Sequence, residues 1–327
     1  MKALVTGGTG FIGLNLINKL VSLKWEVKVL TRSKSRASLF KDKKVQIVLG
    51  DLDNLNKIRN KIKQVDIVFN LAGVLPHHHL PDEKYWDTNV KGVQNLLDIY
   101  KDSDIKRFVH VSTVGIYGPT PKIDTSESSP LCLDSIYAKT KAVGERLVND
   151  YHKKTGLPTV IIRPTIAYGP GDRRPGFSNL FPLIKKRIFI PVGRGENFFH
   201  TIYVGNLIDA LLLAASKKNA IGEDFIIGDD LCPTMKKIIN TIAKAEGVSV
   251  WPFYIPHHLA FGIGKFFDIT SRFGIPTILN SQRVKFVTEN KKFDIGKARK
   301  ILGYQAKVGL EEGIKRTYEW YWENKYL

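Results

Sequence analysis

Two rhythms of apolar and polar positions alternate along the first half of the chain. Short apolar runs at 3–5, 26–31, 45–49, 66–71, 107–112 and 159–163 have the length of buried parallel strands. Between them, apolar residues recur at helical spacing. Phe11, Leu14, Ile17, Leu20 and Val21 form one stripe, and Val90, Val93, Leu96 and Leu97 form a second within 85–100. A long helix is predicted over 137–153. This alternation predicts an α/β fold, a doubly wound parallel sheet with its ligand at the carboxyl ends of the strands. The rhythm changes after about residue 165. Residues 164–195 are rich in Pro, Gly and Arg, 202–215 predict a short strand and a helix, 225–227 a strand, and 233–246 an amphipathic helix. The segment 251–279 is apolar, aromatic and broken by prolines, and 293–327 predict one short and one aromatic-rich helix. The expected division is a nucleotide-binding domain over 1–167, to which 201–230 return, and a smaller lid made of 168–200 and 231–327.

Gly7, Gly10 and Gly13 lie three residues apart between the first strand and the first helix. Gly7 suits a tight turn, Gly10 lets backbone approach a pyrophosphate, and Gly13 lets helix pack closely on strand. The helix N-terminus then offers free N–H groups to phosphates, with Phe11 and Ile12 in its first turn. An acid holding ribose hydroxyls is expected at the end of the second strand, but Thr31, Arg32, Ser33, Lys34 and Arg36 stand there. Arg32 suits a 2′-phosphate, so NADP is expected in preference to NAD. Asp51, followed by Leu52, offers an acceptor for an adenine amino group or a helix cap. Leu71, Ala72 and Gly73 follow the fourth strand, where small residues let backbone lie against a cofactor.

Composition narrows the class. The chain has 327 residues, 43% hydrophobic and 25% charged, as in a soluble globular protein. Cys132 and Cys232 make no disulfide framework, and the first strand begins at residue 2, which points to a cytoplasmic protein. No uncharged apolar run reaches the ~18 residues of a membrane span. The net charge of +19 invites a nucleic-acid reading, but the lysines are dispersed and no aromatic-interleaved basic motif accompanies them. No nucleic-acid partner is expected. His77, His78 and His79 are adjacent and cannot converge on one metal, so they are assigned to a polar loop at the site mouth, with no metal expected.

Thr113 follows the fifth strand, and Tyr137 and Lys141 stand one helical turn apart. A free phenol has a pKa near ~10, and an adjacent ammonium favours its phenolate. Lys141 is therefore expected to bring Tyr137 toward the working range of a base, with Thr113 holding the substrate oxygen. Beside a nicotinamide, that set oxidises a secondary alcohol or reduces a ketone.

With these residues in place, the sequence resembles the extended short-chain dehydrogenases/reductases, the NAD-dependent epimerase/dehydratase family. The matching motifs are TGGTGFIG (6–13), GDL (50–52), NLAG (70–73), NVKGVQNLL (89–97), VSTVGIYG (111–118), YAKTK (137–141), RPTIAYGPGD (163–172) and FDIGKARKILGY (293–304). The resemblance implies a Rossmann fold with a C-terminal substrate domain. Tyr137 is implied as general base, Lys141 as ribose ligand and Thr113 as polariser of the substrate oxygen. Asn89 is implied to be structural or to support an active-site water. Pro164 is placed on the cofactor, and His77, Tyr168 and Arg173 on the substrate. A homodimer packed through the tyrosine helix is also implied.

The departures separate the family's reactions. Val114 and Gly115 stand where sugar dehydratases carry an Asp-Glu pair, so elimination of water is not expected. Epimerases that bind UDP-sugars place an arginine before the segment that is IYVGNL (202–207) here. Phe198, Phe199 and His200 precede it, Asn206 replaces an aspartate, and VKFVTEN (284–290) replaces a later arginine segment. YVGNLIDALLLAA and the aromatic stretch 252–267 resemble instead the 3β-hydroxysteroid or sterol-carboxylate dehydrogenase branch and its dihydroflavonol-reductase-like relatives. The expected function is NAD(P)-dependent hydride transfer at a secondary alcohol or ketone of a sugar or sterol-like substrate. A nucleotide-sugar 4-epimerase with tightly bound NAD is the alternative. Tyr254, Phe261, Phe266 and Phe267 are expected in core or dimer packing, ahead of a substrate wall or a membrane contact.

Overall fold

A computed structural model describes residues 1–40, 44–76, 80–120, 125–271 and 281–327. The strands are β1 (Lys2–Thr6), β2 (Glu26–Thr31), β3 (Val45–Leu49), β4 (Ile67–Asn70), β5 (Arg107–Val111), β6 (Thr159–Pro164), β7 (Ile166–Tyr168), β8 (Thr201–Tyr203) and β9 (Asp224–Ile227). The first six helices are α1 (Phe11–Ser22), α2 (Lys34–Ala37), α3 (Arg59–Ile62), α4 (Asp82–Trp86), α5 (Gly92–Tyr100) and α6 (Ile136–Thr155). The later ones are α7 (Leu180–Lys185), α8 (Val204–Ser216), α9 (Met235–Glu246), α10 (His257–Ser271), α11 (Ser281–Thr288) and α12 (Leu310–Glu323).

The main sheet runs β3-β2-β1-β4-β5-β6-β9, every pair parallel, and β7 pairs with β8 apart from it. Alternate side chains of each strand feed opposite faces. Ala3 and Val5 join Leu16, Ile17 and Leu20 of α1, whereas Leu4 joins Leu96 and Leu97 of α5. Strand order reverses between β1 and β4. The crevice outside the carboxyl ends at that point is where this topology takes a ligand.

The expected helix over 85–100 starts earlier and is interrupted. A π-helical turn, Asp87–Lys91, joins α4 to α5 and buries Asn89. The short strand expected at the start of 202–215 is β8, whereas its three-residue partner β7 and the six-residue α7 lie below the span over which periodicity can be recognised. Within the segment expected to be broken by prolines, α10 forms a helix, and part of the rest to 279 lies outside the described residues. Core or dimer packing is expected of the aromatics here, and the core does not take them all. Tyr254 is 44% exposed and Phe266 63% exposed.

Candidate active site

The glycine turn is fixed by backbone contacts. Gly7 has φ +66°, and a Cβ there would stand 2.7 Å from the Ala72 nitrogen and the Leu71 carbonyl carbon. A Cβ on Gly13 would overlap the Gly7 carbonyl oxygen. Gly10 is the N-cap of α1, no side chain caps that helix, and its first turn holds no acid. Its opening N–H groups and positive dipole end therefore face the crevice unneutralised, a cradle that fits a dinucleotide pyrophosphate. Phe11 is buried and Ile12 half-buried in that turn. The segment after β7 folds over it. The Asn15 amide donates to the Pro170 carbonyl at 3.2 Å, and the Arg174 guanidinium lies 4.6 Å from the centre of the Phe11 ring.

Leu71, Ala72 and Gly73 form the opposite wall. The Leu71 and Ala72 nitrogens donate to the Thr6 carbonyl and hydroxyl oxygens at 3.3 and 3.2 Å. The Thr6 hydroxyl donates to Asn70 Oδ1 at 2.7 Å, and the Asn70 amide meets His110 Nδ1 at 3.0 Å. Thr6, Asn70 and His110 are register partners across β1, β4 and β5. Sequence reasoning missed this chain, though three polar residues at the carboxyl ends of apolar strands were its signal. Further out, Arg32 meets Asp51 at 3.4 Å with both side chains exposed, and Leu52 is buried against Gly92. Pro164 closes β6.

Thr113 caps the turn after β5, its Oγ1 accepting from the Gly115 nitrogen at 2.9 Å. Tyr137 and Lys141 stand on α6, whose N-cap Ser135 accepts from the Ala138 nitrogen. A Cβ on Gly115 would lie 3.2 Å from Thr113 Oγ1 and 3.5 Å from the Tyr137 ring, so glycine leaves room for the two to meet. Burial pushes the Tyr137 phenol up. The neighbouring Thr113 hydroxyl and the Arg174 guanidinium oppose that rise. Lys141 is buried, and its Nζ donates to the Val111 carbonyl at 2.8 Å. Burial lowers its pKa to about 8, with Glu145 opposing. The Arg174 guanidinium thus adds a cation beside Tyr137 that the helical spacing of Tyr137 and Lys141 does not reveal. A desolvated ammonium needs acceptors, and the end of β5 supplies one. His110 is held well below its ordinary range by burial and by the Lys141 charge.

The other assigned residues divide. His77 lies outside the described residues. Tyr168 is fully buried, edge-on to Tyr203 at 5.9 Å, and belongs to the core. Arg173 stacks over Trp320 and Tyr326 at 5.2 and 5.8 Å. Asn89 is a clasp: its Oδ1 accepts from the Val74 nitrogen at 2.9 Å, and its amide donates to Thr140 at 3.1 Å. Asn206 is another, accepting from the Lys307 and Val308 nitrogens and donating to Asp229. Phe199 and His200 are buried. Phe199 meets Phe286 edge-on at 5.3 Å, and His200 Nε2 bonds the Asp229 carbonyl at 2.8 Å.

Residues 3–228 match the NAD dependent epimerase/dehydratase family, and the match spans the glycine turn, Thr113, Tyr137 and Lys141. The chain belongs to that family. It is 31% identical to the sterol-4-alpha-carboxylate 3-dehydrogenase, decarboxylating, of Candida albicans, over 98% of this chain and 97% of that protein. It is 28% identical to the 2-alkyl-3-oxoalkanoate reductase of Shewanella oneidensis, over 96% of this chain and 84% of the relative. Among solved structures it resembles the UDP-glucuronic acid 4-epimerase from Bacillus cereus in complex with NAD, with a TM-score of 0.79, 25% identity and 99% of each chain covered. The chain is thus an enzyme of the extended short-chain dehydrogenase/reductase type, built for NAD(P)-dependent oxidation and reduction.

Proposed function

We propose that this enzyme is an NADP(H)-preferring dehydrogenase or reductase acting at a secondary alcohol or ketone of an apolar, sterol-like substrate. The observation that carries the chemistry is the placing of the Thr113 hydroxyl and the Tyr137 ring together around Gly115, beside the uncapped glycine turn. Thr113 holds the substrate oxygen. Tyr137 takes its proton in oxidation and returns it in reduction. Lys141 holds the ribose, and Gly7, Gly10, Gly13, Leu71, Ala72 and Gly73 shape the cradle. When bound, the nicotinamide supplies or accepts the hydride. A homodimer, a cytoplasmic location and the division into nucleotide-binding part and lid belong to the same proposal.

The fate of the diphosphate positions favours this reading over a nucleotide-sugar epimerase. Phe199 and His200 are locked in the core, and Phe286 of the 284–290 segment closes on Phe199. Neither 198–200 nor 284–290 contains an arginine to hold a diphosphate. The match to the sterol dehydrogenase over nearly the full length supports the substrate class.

The preference for NADP rests on Arg32, whose contact with Asp51 is an exposed ion pair of small worth. A 2′-phosphate gives that guanidinium a better partner. Arg32→Asp is expected to weaken NADPH binding about tenfold or more while leaving NADH nearly unchanged. Equal losses for the two would refute the assignment. Mass spectrometry of nucleotide released by denaturation separates the two functions. Stoichiometric NAD carried through purification supports the epimerase. An empty protein that binds added NADPH more tightly than NADH supports the dehydrogenase or reductase.

A further inference from the structure

The segment after α7 and the segment leading into α10 are joined. The Gly193 nitrogen donates to the Ile255 carbonyl and the Ile255 nitrogen to the Pro191 carbonyl, both at 2.9 Å. The Trp251 indole donates to the Arg187 carbonyl at 2.7 Å, and the Arg194 guanidinium reaches the Tyr254 hydroxyl at 3.4 Å. The joined surface turns its large apolar side chains outward: Ile188 is 61% exposed, Trp251 51% and Phe253 69%.

The helix that follows, α10, is inverted in the same sense. Leu259, Ile263 and Phe266 recur at i, i+4, i+7 and are 52%, 44% and 63% exposed, while Ala260 on another face is buried. A helix on the outside of a globular protein ordinarily shows water its polar face. Here it shows an apolar one, contiguous in sequence with the apolar edge of 251–255.

The charges of this surface are mostly cationic, with Glu196 beside Arg194 and Asp268 on α10 as the neighbouring acids. Residues 185–194 and 251–267 contain five Lys and Arg (Lys185, Lys186, Arg187, Arg194, Lys265) and no Asp or Glu. Lys186, Arg187, Arg194 and Lys265 are exposed. Aromatic and aliphatic side chains ringed by cations, on a chain of net charge +19, match an interface between acyl chains and anionic headgroups. No helix among the described residues is long and apolar enough to cross a membrane. Contact by this surface is therefore lateral.

We propose that the surface formed by 187–194, 251–255 and the outer face of α10 docks the enzyme on an anionic lipid bilayer. The aromatic and aliphatic side chains enter the interface, and Lys186, Arg187, Arg194 and Lys265 meet the headgroups. The proposal does not depend on the nature of the substrate, since binding alone is read.

The test is co-sedimentation of the full chain with vesicles of phosphatidylcholine alone and of phosphatidylcholine mixed with phosphatidylglycerol. The chain is expected to bind the mixed vesicles more tightly, and added salt is expected to weaken that preference. Phe253→Glu and Ile263→Glu are each expected to reduce partitioning about tenfold or more. Both positions are exposed, so circular dichroism and NADPH binding should remain those of the parent chain. Failure of the parent chain to bind either vesicle overturns the proposal. So does equal binding to both compositions, or undiminished binding by both variants. If Ile263→Glu instead dissociates a dimer without changing vesicle binding, the surface is an interface between two copies and the lipid assignment is wrong.

Discussion

Glu145, on the inner helix that carries Tyr137, and Glu246, at the end of the outer helix α9, are equally buried at 4% exposure, yet the two regions treat the charge in opposite ways. Both Glu145 oxygens meet Arg163: Nε at 3.0 and 3.1 Å and Nη2 at 2.6 Å. Arg163 also donates to the Tyr117 hydroxyl at 2.8 Å and pairs with Asp224. Burial pulls that guanidinium toward deprotonation, but the hydrogen bond and charge of Glu145 and the charge of Asp224 carry its pKa above the ordinary value. Glu246, by contrast, has no hydrogen-bond partner on either oxygen. Lys185, whose charge acts on it, donates instead to the Glu246 main-chain carbonyl at 3.1 Å. The sheet edge is thus fully paired where it must hold α6, and with it the base, against β6. The outer layer, remote from the chemistry, tolerates an unpaired carboxyl.

If the paired edge exists to place Tyr137, removing the phenol oxygen should have the largest consequence in the molecule. Tyr137→Phe is expected to lower kcat by about 100- to 10,000-fold while leaving NADPH affinity within about twofold. Full turnover of the variant on the true substrate would remove Tyr137 from the chemistry. The next largest effect is expected from Arg163→Met, which strands Glu145 in the interior. It should cost about 3–5 kcal/mol in urea unfolding. A loss below about 1 kcal/mol would show that the edge is no better matched than the outer layer.

Legibility in the sequence follows the same divide. The glycine turn was readable because its requirement is purely backbone. Spacing between a strand and a helix marks Gly7, Gly10 and Gly13, and Gly7→Ala should cost about 2–4 kcal/mol, from its positive φ and the backbone it would strike. Calorimetry on that variant checks the value, and an unchanged melting temperature would show that the turn relaxes. The Tyr137–Lys141 spacing was readable for a similar reason, since one helical turn fixes it. The approach of Arg174 was not. Arg174 reaches the site only because Asp172 grips its guanidinium and the segment folds back over Phe11. Tyr168 and Arg173 lie in the same stretch of motif. The burial of Tyr168 against Tyr203 and the stacking of Arg173 on Trp320 and Tyr326 are tertiary events involving α12 and the residues after it, far along the chain. The π-helical turn at Asn89 likewise has no local sequence rule and answers to the Val74 and Thr140 groups that Asn89 must reach.

The smallest effect should come from the unpaired member of the comparison, and it should depend on pH. Burial pushes the Glu246 carboxyl up to about 8 from its ordinary 4.5, with Lys185 opposing. The folded chain therefore holds a proton there that the unfolded chain releases. The proton-linked stability is fully present below the unfolded value, falls as pH rises between the two, and is lost above about 8. Glu246→Gln fixes the neutral form. It should match the parent chain at about pH 5 and exceed it by about 1–3 kcal/mol at about pH 9, measured as urea unfolding at each pH. A stability difference that does not change between those two pH values would mean that the Glu246 carboxylate finds a partner in solution. The outer layer would then pair its buried charge as the sheet edge does, and the contrast between the two regions would fail.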